Sequence, residues 1–188
     1  RNDPYNRAVI EAERRLALDP HLQIVANSEL VQNELQDVLG VPAERITLIP
    51  NGLDTARFEP PTEEQRAGAR RSFVVPADAL TIAFVGSGFA RKGAFHLVES
   101  MRLMPEAFLL VCGRDKRRAA LEALARKVGA ANRVRILNGA DDVRPVLHAA
   151  DVFALPSLYD PSPNAALEAL GCGLPVVTTA DTGLAREI

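Results

Sequence analysis

The chain has no tryptophan, and aromatic residues make up only 5% of it. The stacking platforms on which single-strand nucleic-acid readers depend are therefore missing. Neither charge dominates: 22 Lys and Arg stand against 24 Asp and Glu, a formal net charge of −2, which excludes a broadly basic nucleic-acid binder. Cys112 and Cys172 are the only two cysteines. Without CxxC spacing they frame no disulfide scaffold and fit a reducing compartment. No apolar run approaches the ~18 residues of a membrane span, and the opening RNDPYNRAVIEAERR lacks the apolar core of a signal peptide. His21, His96 and His148 are scattered, with no metal-ligand spacing. No GxSxG occurs, and neither cysteine looks like a nucleophile: Cys112 ends an apolar strand, while Cys172, between two glycines, is expected to be the more exposed. Arg14 and Arg15 read as a solvated helix face.

What remains is an ordinary globular composition, 47% apolar and 24% charged over 188 residues, enough for one domain or one and a fraction. The chain has no initiator Met and closes on TADTGLAREI in mid-pattern, so the sequence reads as a fragment of a longer protein. Short apolar runs alternate with helical patterns. A strand is predicted over 22–26, then a helix capped by Ser28 and running to about 39, ended by Gly40 and Pro42, then a strand over 46–49 closed by Pro50-Asn51-Gly52. Residues 54–62 carry the pair Pro60-Pro61 and read as a linker before a charged helix over 63–71. From there the rhythm is regular: strands over 80–85, 108–112, 134–137, 152–155 and 175–178, separated by helices over 94–104, 118–128, 142–149 (capped by Asp141) and 164–170. This alternation predicts an α/β fold, a doubly wound, Rossmann-like parallel sheet with helices on both faces. Ligands in such sheets bind outside the carboxyl ends of the strands.

Two of the loops there are basic and one is acidic. Gly86-Ser87-Gly88-Phe89-Ala90-Arg91-Lys92-Gly93 brings glycines and two cations to a helix start, a cradle for phosphate. It is neither GxGxxG, since Arg91 holds the third glycine position, nor a P-loop, since no Ser or Thr follows Lys92. Gly113-Arg114-Asp115-Lys116-Arg117-Arg118 sets four cations where a helix dipole disfavours them, which points to an anionic ligand. Residues 138–142 read as a plain turn and cap. In the stretch 156–168, Asp160 lies in a proline-rich loop and Glu168 in the helix that follows, among Ala165, Ala166, Leu167, Ala169 and Leu170. A carboxylate in so apolar a helix calls for a partner or a ligand. Asp160 and Glu168 can accept hydrogen bonds from sugar and ribose hydroxyls while amides near Asn164 and Ala165 hold a phosphate.

These residues carry a resemblance. Asp160 through Glu168, followed by ALGCGLPVV, resembles the E-x7-E signature of retaining GT-B glycosyltransferases of family 4. Asn27-Ser28-Glu29 and Ile49-Pro50-Asn51-Gly52-Leu53-Asp54 with Arg57-Phe58 resemble that family's inter-domain segment. Val85-Gly86 to Lys92-Gly93 resembles its donor diphosphate loop, and GSGFARKG with CGRDKRR looks closest to lipopolysaccharide core glucosyltransferases. The likeness runs over nearly the whole chain from about Leu22.

The resemblance implies that residues 1–50 are the tail of an N-terminal acceptor domain and 51–188 a C-terminal nucleotide-sugar donor-binding domain, truncated at its C-terminus. Arg91, Lys92 and Asp160 would be the catalytic groups, the cations on the donor diphosphate and Asp160 on the donor sugar. Gly86, Ser87, Gly88, Arg114, Lys116, Ser162, Pro163, Asn164, Ala165 and Glu168 would bind the donor, Glu168 through the ribose. Two positions depart from the family pattern: Asp160 is one methylene shorter than the usual Glu, and Ser87 replaces a frequent Arg. The implied activity is hexosyl transfer from a nucleotide-diphosphate sugar, UDP-glucose or a related donor, to a saccharide or lipid-linked saccharide acceptor in lipopolysaccharide or cell-surface glycan synthesis. No cofactor and no metal are expected. The implied setting is cytoplasmic, peripheral at the inner membrane where the acceptor is lipid-linked. The isolated fragment is expected to be inactive. A GT-B nucleotide-sugar epimerase and a non-catalytic doubly wound binding domain are the alternatives.

Overall fold

The computed structural model describes residues 3–186. The first helix, α1 (Pro4–Leu18), opens with Pro4 at its first position and Asp3 accepting a hydrogen bond from the Tyr5 N–H, a start that needs no proline N–H. Strand β1 (Ile24–Ala26), helix α2 (Glu29–Asp37) and strand β2 (Ile46–Leu48) complete a small N-terminal unit. Ser28 caps α2 through the Val31 N–H at 3.3 Å. β1 and β2 pair in parallel as a two-stranded sheet over a small core of Ala17, Ala26, Val41 and Ile46. The Arg45 guanidinium ties α1 to this sheet through the carbonyls of Ala17, Asp19 and Leu22.

Past the linker, α3 (Glu63–Ser72) starts on a full capping box: Thr62 accepts from the Gln65 N–H, and the Gln65 side chain accepts from the Thr62 N–H. The main sheet then alternates with helices: β3 (Thr81–Val85), α4 (Ala94–Ser100), β4 (Phe108–Cys112), α5 (Arg118–Lys127), β5 (Val134–Leu137), α6 (Arg144–His148), β6 (Val152–Leu155), α7 (Asn164–Gly171) and β7 (Val176–Thr178). All its pairings are parallel, in the order β5-β4-β3-β6-β7. The doubly wound parallel sheet that the alternation predicts is thus the observed one. Right-handed crossovers put α4 and α5 on one face and α6 and α7 on the other, because the chain reverses direction across the sheet after β5. Every residue of β3 is buried, as expected of a strand covered on both sides. Phe84, Phe89 and Phe153 are fully enclosed in the core, each contributing about 1.5–3 kcal/mol of hydrophobic stabilisation.

Asp151 fastens the amino-terminal ends of these strands. Its carboxylate accepts from Arg66, from Arg70 at 2.6 Å and from the Thr81 N–H at 2.7 Å. The buried Arg70 also donates to the carbonyls of Pro76, Ala77 and Ala79, so one ion pair joins α3, β3 and the start of β6.

Two helices differ from the sequence-based expectation. The helix predicted over 94–104 stays α-helical only through Ser100 and tightens into a 3₁₀ turn over Met101–Leu103. The helix predicted from 142 with Asp141 as its cap begins at Arg144 instead. Pro145 favours the first turn, where it has no N–H to lose, and it is Asp142, not Asp141, that accepts from the Arg144 N–H, at 3.1 Å.

Candidate functional site

The strand order reverses between β3 and β6, so the loops leaving these two strands diverge and open a crevice at their carboxyl ends. They touch first at Gly93, whose φ is +82°. A Cβ there would stand 2.0 Å from the Pro156 carbonyl oxygen, an approach that only glycine permits. The Leu158 N–H then donates to the Arg91 carbonyl at 2.8 Å, and the Arg91 guanidinium donates to the Tyr159 carbonyl.

Lys92 and Asp160 meet inside this crevice. Lys92 Nζ lies 3.0 Å from Asp160 Oδ2, with the two side chains 16% and 8% exposed, and Arg91 stands 4.0 Å from the same oxygen. The Lys92 stem lies over Gly86, where a Cβ would come within 2.8 Å of Lys92 Cδ. Asp160 is fixed through its backbone: its N–H donates to the Asp181 carbonyl and its own carbonyl accepts from the Gly183 N–H. The three residues expected to be catalytic are therefore brought together. The glycine loop itself is less free than its sequence implies. The N–H groups of Gly86, Phe89 and Lys92 are taken by the Cys112 carbonyl, the Asp115 carboxylate and the Gly88 carbonyl, so these three do not face a ligand.

Beside the crevice lies a cavity of about 260 Å³ lined by Gly86, Ser87, Arg114, Ala140 and Asp141 among others. The Arg114 N–H donates to Ser87 Oγ at 3.2 Å, and its guanidinium reaches to 3.9 Å from Asp141. The cation cluster after β4 divides. Arg114, Lys116 and Arg117 are exposed, but Arg117 stacks 4.6 Å over the Phe95 ring, and the half-buried Arg118 binds Glu122 and the Ile136 carbonyl. Asp115, which sequence reasoning passed over, anchors this loop to the glycine loop. The Arg117 N–H, and behind it that of Phe89, hold its carboxyl below the ordinary range. A larger groove of about 360 Å³ runs along α5 and the edge strand β5, away from the loops that meet at Lys92.

The third part of the site is the start of α7. No side chain caps it after Pro163, and the N–H groups of Asn164 and Ala165 have no acceptor among the described residues. The Asn164 side-chain oxygen accepts from Asn51 at 2.6 Å, and Ser162 and Pro163 line a narrow crevice against Asn27, Ser28 and Asn51. Glu168 sits one turn further on, half-buried, with no contact to Lys92 or Asp160 among the described residues. Burial pushes its carboxyl up, opposed by the charge of Arg57 on the linker. Gly171, on the next turn, packs against Leu53 and Phe58 of that linker. Cys172 departs from expectation. It is 2% exposed where the chain leaves α7, and burial beside Glu168 pushes its thiol up to about 11. Cys112 is buried as expected, its thiol also pushed up. Sequence reasoning also missed Tyr159 and Glu34, whose contact no local pattern announces.

Among the described residues, no helix is long and apolar enough to cross a membrane. The family model "Glycosyl transferases group 1" matches residues 65–188, and "Glycosyltransferase Family 4" matches residues 1–57. The chain is 34% identical over 160 residues to the lipopolysaccharide core biosynthesis glycosyltransferase LpsE of Rhizobium meliloti, covering 85% of this chain and 44% of LpsE. It is 33% identical over 151 residues to the lipopolysaccharide glucosyltransferase WaaG of Escherichia coli, covering 77% of this chain and 40% of WaaG. The chain thus spans less than half the length of either relative. A crystal structure of WaaG superposes with a TM-score of 0.87 at 27% identity, over 99% of this chain and 52% of that one. Anabaena HepE, solved in complex with UDP-glucose, shares the fold with a TM-score of 0.86 at 22% identity, over 99% of this chain and 53% of that one. The group 1 match runs from within α3 to the end of the chain and takes in the whole five-stranded sheet and the Lys92–Asp160 crevice, so the chain belongs to the group 1 glycosyl transferases and has the doubly wound fold of the C-terminal half of their GT-B architecture.

Proposed function

We propose that this chain supplies the donor site of a retaining hexosyltransferase that uses a nucleotide-diphosphate sugar, UDP-glucose in the first instance, and transfers the hexose to a saccharide or lipid-linked saccharide acceptor. The observation that carries this reading is the Lys92–Asp160 pair, 3.0 Å apart and largely enclosed where the strand order reverses. A cation and a carboxylate fixed side by side suit a ligand that is anionic at one end and hydroxylated at the other. The names of LpsE and WaaG give the acceptor class its direction.

In this reading residues 1–50 end an acceptor domain and residues 51–188 form the donor domain. Lys92, helped by Arg91, holds the diphosphate, and Asp160 receives a hydroxyl of the sugar. Gly86, Ser87 and Gly88 floor the diphosphate site, with Arg114 and Lys116 on the nucleotide side. Ser162 and Pro163 shape the entry to α7, where the Asn164 and Ala165 N–H groups face the phosphate or sugar. Glu168 binds the ribose hydroxyls. When the bond between the anomeric carbon and the β-phosphate oxygen breaks, its electron pair stays on that oxygen. The acceptor hydroxyl bonds to the same face of the carbon and gives its proton to the departing phosphate. Fixed cations and amides aimed at the developing charge lower this barrier without reorganising, so neither a protein nucleophile nor a metal enters the scheme.

Calorimetric titration with UDP, UDP-glucose, GDP and ADP tests the donor site. Selective binding by one nucleotide, lost in Lys92→Ala and Glu168→Ala, is the expected result. Unchanged binding in both variants would remove the assignment. NMR of the product formed by the whole protein reads the anomeric configuration, and an epimerised donor formed without acceptor would move the reading to the epimerase class.

A further inference from the structure

Three consecutive residues of the loop after β6 each engage a different part of the molecule. Leu158 binds the Arg91 backbone at 2.8 Å. Asp160 pairs with Lys92. Between them, the Tyr159 hydroxyl donates at 2.7 Å to Glu34 Oε2 on α2, in the other structural unit, while the Tyr159 carbonyl receives the Arg91 guanidinium. The segment that carries Asp160 is therefore held on one side by the glycine loop and on the other by the N-terminal unit. We infer that Glu34 and Tyr159 are positioning residues, a latch through which the unit bearing α2 sets where Asp160 stands in the donor site.

Several observations support a latch over a passive surface contact. The acceptor is a carboxylate, and a charge-assisted O–H···O⁻ bond is shorter and stronger than a neutral one. Partial burial, with Glu34 second, pushes the Tyr159 phenol up to about 12, so the hydroxyl stays a donor across the working pH range. The same loop is clasped again beside α2: a Cβ at Gly183 would lie 1.8 Å from the Pro161 carbonyl oxygen and 2.7 Å from Ser28 Oγ. Any shift of α2 is thus felt at both ends of residues 159–161. Tyr159 neighbours Asp160 directly, so a displacement there moves the carboxylate rather than the nucleotide-side groups Arg114 and Lys116.

The inference rests on the reading of Asp160 as the sugar-facing group, and its test separates the two. Binding of UDP and of UDP-glucose is measured by calorimetry on the whole protein for Tyr159→Phe, Glu34→Ala, Glu34→Gln and Asp160→Asn, alongside hydrogen exchange of residues 156–163. Tyr159→Phe and Glu34→Ala are expected to weaken UDP-glucose binding about tenfold, to leave UDP binding unchanged and to speed exchange in that segment; misplacement of a group at the reacting end costs on this scale or more. Glu34→Gln, whose amide oxygen still accepts from the phenol, restores most of the affinity, and the double variant Tyr159→Phe/Glu34→Ala is no worse than either single one. Additive losses, equal weakening of both ligands, or unchanged exchange would overturn the latch. If Asp160→Asn leaves UDP-glucose binding intact, or the unaltered protein binds neither ligand, the reading of Asp160 falls, and the latch as a donor-site device falls with it. Loss in Asp160→Asn with no effect of Tyr159→Phe overturns the latch alone.

Discussion

Lys92 and Asp160 stand 3.0 Å apart although they leave different strands of the sheet. Their meeting follows from topology. β3 and β6 are adjacent and parallel, and Gly93 lets one loop come within van der Waals reach of the Pro156 backbone.

Lys92→Ala leaves the buried Asp160 carboxylate with only Arg91, at 4.0 Å, to balance it. An unsatisfied buried group of this kind costs about 1–3 kcal/mol. The variant is expected to unfold at lower urea concentration and to lose nucleotide binding together. Asp160→Ala/Lys92→Ala, which removes both charges, is expected to recover part of the stability and none of the binding.

Glu168→Gln is expected to separate stability from binding in the opposite direction. Burial raises the Glu168 carboxyl pKa in the folded state. A raised carboxyl pKa gives stability that is present at acid pH and lost as pH rises through the folded value, so at neutral pH the ionised group costs stability. Its amide replacement should stabilise the chain at pH 7, by about 0.5–1 kcal/mol, and weaken nucleotide affinity. Thermal denaturation at acid and neutral pH reads the sign, since the gain should vanish in acid.

His148 gives a second pH dependence, of the other sense. Burial, then the charge of Arg144, lower its pKa below the ordinary 6.5, and its Nε2 is buried without a partner. The unfolded chain therefore takes up a proton first. Its contribution is complete above 6.5 and fades as pH falls through the lower folded value. Urea midpoints should decline over that window, and His148→Leu should flatten the profile there.

Asp151→Ala removes the shared partner of Arg66, Arg70 and the Thr81 N–H. Arg70 is only 5% exposed at its side chain, while Asp151 is 33% exposed, so the loss is expected at about 2–4 kcal/mol, the lower part reflecting solvent access at the carboxylate. Denaturant unfolding checks it. Nucleotide binding by the remaining folded protein should be unchanged, because Asp151 lies at the opposite end of the strands.

Much of this protein is decided locally and is legible in the chain. Runs such as FLLVC and VFAL, too short for helices and apolar throughout, specify buried strands wherever they sit. Glycines and caps, Ser28 and Thr62 among them, set where helices start. The order of these elements already implies a parallel doubly wound sheet whose ligands bind at its carboxyl ends, and the residues from Asp160 to Val177 carry a resemblance to the family that the match over 65–188 shows. What the sequence could not state is which side chains meet. Arg117 lies over Phe95 and Arg118 reaches the Ile136 carbonyl while Arg114 and Lys116 make neither contact, a division that depends on where α4 and β5 pack. Cys172 is enclosed where the chain leaves α7, and α6 starts at Arg144 after Val143 with no side-chain cap, so Asp141 does not cap it. Lys92 reaches Asp160, and Tyr159 reaches Glu34, only once the crossovers have stacked. Hydrophobic periodicity and turn chemistry act between near neighbours along the chain, whereas a charge pair or a hydrogen bond between distant segments is decided by packing.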